Sequence, residues 1–396
     1  MQYPDRFTDL PAYAFPRLRA LIEDHPPGGA LVKMSIGEPR HAFPPWIMDI
    51  IESHAEGFGR YPPNEGTPGL RAAFTDWLHR RYGVRKDPDT EVMPLNGTRE
   101  GLYNVAMALC PESKIGVRPA ILIPNPFYQV YAVASMSIGA EPVYLNATAE
   151  TGHLPDLSAL TPELLNRTTL FYLCSPANPQ GAVADASYWS DLLGLAEKHD
   201  FIVAADECYS EIWRDRPPIG VLQAASDLKV DPEKVVAFHS LSKRSNLPGL
   251  RSGFVTSGPA NIARIKSLRN YAGAPLPLPL QYAAEKVWQE ETHVAESRAL
   301  YAEKFDLADR ILGNHVPEFQ TPQAGFFLWL PVEDGEAATL KLWRETGVLT
   351  LPGAYLARDT DHGNPGQGYI RVALVASEAE TDRGLRLLRA CLYPEE

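Results

Sequence analysis

The chain has 396 residues, and 37 Lys and Arg against 49 Asp and Glu give it a formal net charge of −12. At roughly 100–200 residues per domain, this length accommodates two domains or one large domain with a satellite. The acidic balance argues against nucleic acid or an anionic membrane as partner, because polyanions are repelled over most approaches.

No apolar run approaches the ~18 residues that span a bilayer. The first twenty residues mix charges and prolines and read as no secretory leader, so a cytoplasmic protein is expected. Cys110, Cys174, Cys208 and Cys391 are widely spaced and form no CxxC pair. That pattern argues for buried thiols rather than a disulfide framework or a zinc site. The histidines show no metal-ligand spacing, and no metal is expected.

In chain order, residues 1–45 are too short to fold alone and are expected to form an arm that joins a small domain. A helix is predicted over 70–82, with Thr67 as N-cap and Pro68 in the first helical position. Short apolar runs then alternate with amphipathic stretches. Strands are predicted at Val92–Leu95, 120–123, 169–174, 201–205, 235–239 and 252–256, with helices at Thr98–Leu109, Ala186–His199 and 261–268 between them. This is the pattern of an α/β domain with a mostly parallel sheet, and 46–285 is assigned to it. From about 280 the texture changes to a long charged amphipathic stretch, 280–312. Strands at 326–330 and 369–372 and a helix at 378–391 follow. Residues 286–396 therefore read as a smaller α+β domain.

In open α/β sheets, ligands bind beyond the carboxyl ends of the strands. Here those ends deliver Asn96-Gly97-Thr98-Arg99, then Asn125 to Tyr128, Ser175 to Pro179, Asp206 to Tyr209, and Ser240 to Lys243. Taken singly, each has an ordinary reading. Gly97-Thr98 is an N-cap, Asp206 a structural ion pair, Lys243 a solvated surface group. Together they describe one site. A helix start offers free N–H groups to an anion, a carboxylate closing an apolar strand calls for a cationic partner, and a lysine after another apolar strand can form an imine. A phosphate cradle with Arg251, a carboxylate for a pyridinium, a lysine for an aldehyde and Tyr128 to stack are what pyridoxal 5′-phosphate requires.

At these residues the sequence resembles the fold-type I pyridoxal-phosphate enzymes of the class I/II aminotransferase family, over essentially its whole length. The matching segments stand in order: Ile36-Gly37-Glu38-Pro39, Tyr61 to Gly66, Asn96 to Glu100, Asn125 to Tyr128, Asn178-Pro179, Asp206 to Tyr209, Ser240 to Lys243 with Arg251, and Arg371. The resemblance implies that Lys243 is the imine-forming lysine and the proton-transfer base, and that Asp206 holds the pyridine nitrogen protonated. Asn178 and Tyr209 would bond the ring oxygen, and Tyr128 would stack. Gly97, Thr98, Arg99, Ser240, Ser242 and Arg251 would hold the phosphate. Arg371, helped by Gly37 and Asn178, would clamp the substrate carboxylate. It also implies a homodimer with shared sites, in which Tyr61 reaches the neighbouring subunit's phosphate.

Within the family, the run Lys243-Arg244-Ser245-Asn246 departs from the commoner version. With RYPPNEGTPGLR and GEPRHAFP it is similar to proteobacterial succinyldiaminopimelate aminotransferases of lysine biosynthesis. Glutamate and N-succinyl-2-amino-6-oxopimelate are then the expected substrates, and Arg40 is a candidate for a distal carboxylate. The alternatives are an aminotransferase for aspartate, alanine or aromatic amino acids, or a C–S lyase on the same scaffold.

Overall fold

The computed structural model describes residues 4–317 and 319–394. Twelve strands appear in chain order: β1 (Val32–Lys33), β2 (Val92–Leu95), β3 (Ala120–Asn125), β4 (Glu141–Asn146), β5 (Thr168–Cys174), β6 (Ile202–Asp206), β7 (Val235–Ser240), β8 (Gly253–Thr256), β9 (Phe327–Pro331), β10 (Val348–Leu349), β11 (Leu351–Pro352) and β12 (Tyr369–Ala373). Seven of them form one sheet in the order β2-β8-β7-β6-β5-β3-β4. All neighbours pair in parallel except β8, which runs antiparallel to both β2 and β7. The inner strands are apolar and buried almost throughout, as helices on both faces require. The fold is therefore the mostly parallel α/β architecture expected, with a small antiparallel sheet β11-β12-β9 beside it.

The strands expected from sequence do not include β4. That strand opens Glu141-Pro142 and is half-buried along its length, an edge strand with neither clean alternation nor a continuous apolar run. The predicted stretch 280–312 is two helices, Leu278–Gln289 and Thr292–Leu312. The break has a local cause. The Glu290 carboxylate accepts hydrogen bonds from the backbone N–H of Thr292 (2.6 Å) and His293 (3.1 Å), capping the second helix where an unbroken one would have run on. The helix Pro68–Tyr82 begins as predicted: the Thr67 hydroxyl accepts from the Leu70 N–H at 3.2 Å and Pro68 takes the first position.

Apolar side chains pack against both faces of the large sheet, with Trp77, Trp189 and Trp288 fully buried. A separate cluster lies between the small sheet and the helices Thr292–Leu312 and Glu378–Leu392. The N-terminal segment is tied to the small sheet's side of the molecule. There β1 pairs in parallel with β10, and the helix Ala14–Ile22 buries Ala14 and Leu18 against Leu349, Leu351 and Tyr355. Among the described residues, no helix is long and apolar enough to cross a membrane.

Candidate active site

The carboxyl ends of the large sheet's parallel strands face the small sheet across a cavity of about 310 Å³. Its wall includes Gly37, Thr98, Arg99, Tyr128, Asn178, Asp206, Tyr209, Ser240, Ser242, Lys243, Arg251 and Arg371. Twelve of the residues singled out in the sequence thus converge on one space. Gly97 lies just behind the wall, and Tyr61 and Arg40 lie outside it, both exposed.

Each side chain has an identifiable support. Gly97 turns the chain from β2 into the helix Thr98–Leu109 with φ at +80°, and a Cβ there would sit 1.9 Å from Arg251 Nη2. Only glycine allows both that backbone and that approach, so the Arg251 guanidinium lies against the Gly97 backbone at the start of the helix. Ser240 closes β7 and caps the short helix Leu241–Arg244: its Oγ accepts from the Ser242 N–H at 3.1 Å and donates to Ser242 Oγ at 2.9 Å. Both hydroxyls are held on the side where Lys243 projects. The Lys243 Nζ donates to the Gly37 carbonyl at 2.5 Å and lies 5.4 Å from the Phe326 ring centroid. Burial draws its pKa down to about 8, into the range where a neutral amine is accessible near physiological pH.

Asp206 ends β6 and is 6% exposed. It accepts hydrogen bonds from the Tyr131 hydroxyl (2.7 Å) and the Cys208 N–H (3.3 Å), and burial pushes its pKa up. Among the described residues, no cation pairs with it at ion-pair distance. A buried carboxylate in that state favours a positively charged ring nitrogen as its partner. Tyr131 went unnoticed in the sequence. It lies three residues past Tyr128 on the helix Gln129–Ser137, a spacing that puts the two tyrosines on one face, and it stacks on Tyr172 at 4.6 Å. Tyr128 in turn accepts from Arg99 Nε at 2.7 Å. Thr98 Oγ1 is 3.2 Å from Cys208 Sγ, a neighbour the sequence did not suggest.

Across the cavity, Arg371 on β12 is 4% exposed. Its guanidinium donates to Asn178 Oδ1 at 3.0 Å and to the Ser35 carbonyl at 2.8 Å, and its Nε has no hydrogen-bond partner. No carboxylate pairs with it among the described residues, and burial draws its pKa down to about 10. A buried guanidinium with a donor unspent is costly unless an anion meets it. Gly37 passes so close to Phe327 that a Cβ would lie 2.4 Å from the ring, which brings the backbone itself to the wall.

A cationic anion cradle, a buried carboxylate without a cation and a lysine with a lowered pKa at one sheet edge define a pyridoxal-phosphate enzyme, and the residues present fit that cofactor. The comparisons agree. The description "Aminotransferase class I and II" matches residues 30–388, so the chain belongs to this family. The family uses pyridoxal 5′-phosphate, and that is this chain's cofactor. An LL-diaminopimelate aminotransferase from Dehalococcoides mccartyi is 31% identical over 98% of both chains. The crystal structure of an aminotransferase from Neisseria meningitidis superposes with a TM-score of 0.93 at 38% identity, covering 98% of this chain and 99% of that one. A probable N-succinyldiaminopimelate aminotransferase from Thermus thermophilus gives 0.84 at 25% identity, covering 96% and 100%.

Proposed function

We propose that this aminotransferase works in diaminopimelate and lysine biosynthesis, interconverting N-succinyl-LL-2,6-diaminopimelate and 2-oxoglutarate with N-succinyl-2-amino-6-oxopimelate and glutamate, the cell using the direction that consumes glutamate. The observation that carries α-amino-acid transamination is Arg371: buried, without a carboxylate partner, and on the same cavity wall as Lys243. The diaminopimelate assignment rests on the sequence runs around Lys243 and on the two diaminopimelate-related relatives. The Dehalococcoides relative supports a second reading, in which the free LL-diaminopimelate is the amino donor.

In this reading the phosphate is held by the N–H groups at Gly97 and Thr98, by Arg99, Ser240, Ser242 and Arg251, and by Tyr61 of the opposite subunit in a homodimer. Tyr128 stacks on the ring, and Asn178 and Tyr209 bond its oxygen. The bound cofactor supplies an electron-withdrawing ring that acidifies the substrate's Cα–H. Asp206 keeps the ring nitrogen protonated. Arg371 and Asn178, with the Gly37 backbone, fix the α-carboxylate so that the Cα–H points at Lys243, and Lys243 Nζ takes that proton.

The test is a visible spectrum of the purified holoenzyme before and after adding N-succinyl-LL-diaminopimelate, and separately LL-diaminopimelate, with no keto acid present. Loss of the long-wavelength cofactor band with the succinylated compound supports the first reading. A response to the free diamine alone supports the second. A response to neither, with one to aspartate, alanine or an aromatic amino acid, overturns both. Release of pyruvate and ammonia without a keto-acid acceptor would make the protein a lyase.

A further inference from the structure

The run that follows Lys243 was set apart by its sequence, and its contacts lead away from the cavity to a buried amine that the reaction does not use. Lys304, on the helix Thr292–Leu312, is 3% exposed. No carboxylate pairs with it among the described residues. Its Nζ lies 2.6 Å from His41 Nε2 and 5.2 Å from the Tyr301 ring centroid. Arg40 opposes its charge, Glu303 and Glu378 favour it from a distance, and burial draws its pKa down to about 8. His41 is held neutral, its pKa drawn down to about 4 by burial and by Lys304.

The hydrogen-bond polarity of this cluster follows from chemistry. An ammonium only donates, so His41 Nε2 accepts and Nδ1 carries the hydrogen. That Nδ1 faces Ser297 Oγ at 3.5 Å, and the same Oγ lies 3.1 Å from Asn246 Nδ2. Asn246 in turn reaches the Ala42 carbonyl at 3.4 Å. It stands three residues past Lys243, in the left-handed region at φ +54°. One end of the network is therefore fixed to the strand end that carries Lys243, and the other to the long helix. The segment held between them, 37–42, starts at Gly37, whose carbonyl takes the Lys243 hydrogen bond. A second path runs through packing: His41 lies against Tyr301 (4.4 Å), Tyr301 stacks on Phe326 (5.5 Å), and Lys243 Nζ lies over Phe326.

We propose that Lys304, acting through His41, is a positioning residue that holds the segment 37–42 closed so that the Gly37 backbone lies at the wall of the reactive cavity. The ammonium fixes the histidine tautomer, the histidine fixes the segment, and the segment sets where a substrate carboxylate meets Gly37. The kinetic part of this inference rests on the proposed function, whereas the structural part does not.

The test uses the full-length chain with Lys304→Met and Lys304→Arg and two readouts. The first is tryptic cleavage after Arg40, which is exposed but sits in the pinned segment, measured against cleavage elsewhere in the chain. Lys304→Met is expected to speed cleavage after Arg40 by about tenfold with other sites unchanged, and Lys304→Arg, which keeps the donor, to restore the slow rate. The second is steady-state kinetics with the amino donor. KM should rise by about fivefold or more with kcat within about twofold, because the groups around the reacting atoms are untouched. Unchanged cleavage after Arg40 in a folded Lys304→Met protein overturns the proposal, as does an equal fall in kcat. If Lys304→Met accelerates cleavage everywhere, His41→Gln replaces it: local release after Arg40 supports the proposal and global release overturns it. Local release in a protein that transaminates no diaminopimelate would count against the proposed function alone.

Discussion

Glu207 follows Asp206 but faces the opposite side of the sheet, where it is 2% exposed. One oxygen accepts from the Val221 N–H at 2.6 Å, the other from the Tyr82 hydroxyl at 3.0 Å, and His239 Nε2 lies 3.6 Å away. Burial pushes its pKa up from 4.5 to about 7. Between those values the fold holds a proton that the unfolded chain has lost, so Glu207 makes stability fall as pH rises through that window. His239, drawn down from 6.5 to about 3 by burial, does the reverse: the unfolded chain gains a proton that the fold excludes, and stability falls as pH drops below about 6.5. The two slopes overlap, so the glutamate's share is read by difference. Glu207→Gln keeps an acceptor for Val221 and should remove up to roughly 3 kcal/mol of the stability change between pH 5 and pH 8. Denaturant titrations of both proteins at the two pH values measure it, and an identical pH slope would refute the assignment. Lys243 and Asp206 stand out in the sequence because each follows an apolar run, whereas Arg371, in the middle of β12, is reached only through the family resemblance; the structure places all three on one cavity wall. Tyr131 and Lys304 were not legible, because their partners Asp206 and His41 are brought to them only by the fold.

The helix start at Thr98 shows what an element adds to its residues. Glu100 in its first turn accepts from the Asn96 N–H at 2.8 Å, and the buried Arg269 holds Glu100 at 2.6 Å while also donating to the Asn64 carbonyl at 2.8 Å. The turn is thus braced by the protein's own groups, with no anion needed to shape it. Gly97→Ala should therefore leave far-UV circular dichroism unchanged but weaken pyridoxal-phosphate binding by about tenfold or more, since a methyl group must displace either the turn or Arg251. Titration of the cofactor absorbance checks this, and unaltered affinity would show that Arg251 has another place to go. Elements were readable where period, cap and length agreed, as in the helix Pro68–Tyr82. They were misread where a neighbour or a local cap decided the outcome. The edge strand β4 owes its conformation to pairing with β3, and the break at Glu290 to one carboxylate turned onto two backbone donors.

At the scale of the molecule, the two sheets meet at the cavity, and the segments that line it span nearly the whole chain. Large apolar side chains stand exposed at Tyr61, completely, at Phe58 (57%) just before it, at Met48 (55%) on the helix Ile47–Ser53, and at Tyr271 (93%), whose neighbour Asn270 bonds Asn64 of the Tyr61 loop. Exposure on this scale is unusual for a monomer and supports the proposed dimer. Sedimentation should give twice the chain mass at micromolar concentration. Tyr61→Phe should lower cofactor affinity several-fold without changing that mass, by loss of one hydrogen bond to phosphate. A fully active monomer would overturn the shared-site arrangement. The general fold was legible because buried parallel strands write themselves as apolar runs; the N-terminal arm was expected to join the small domain, but the pairing that ties it there was not legible, because β1 is two residues long and β10 is distant in sequence. That pairing also sets an order of events during synthesis. The residues assigned to the cofactor within one subunit run from Gly97 to Arg251 and leave the ribosome before Val348, which pairs with β1, and Arg371. A nascent chain thus carries every residue proposed to hold its own cofactor before the arginine proposed to grip an amino acid has been made, so the two halves of the proposed site become available in sequence rather than together.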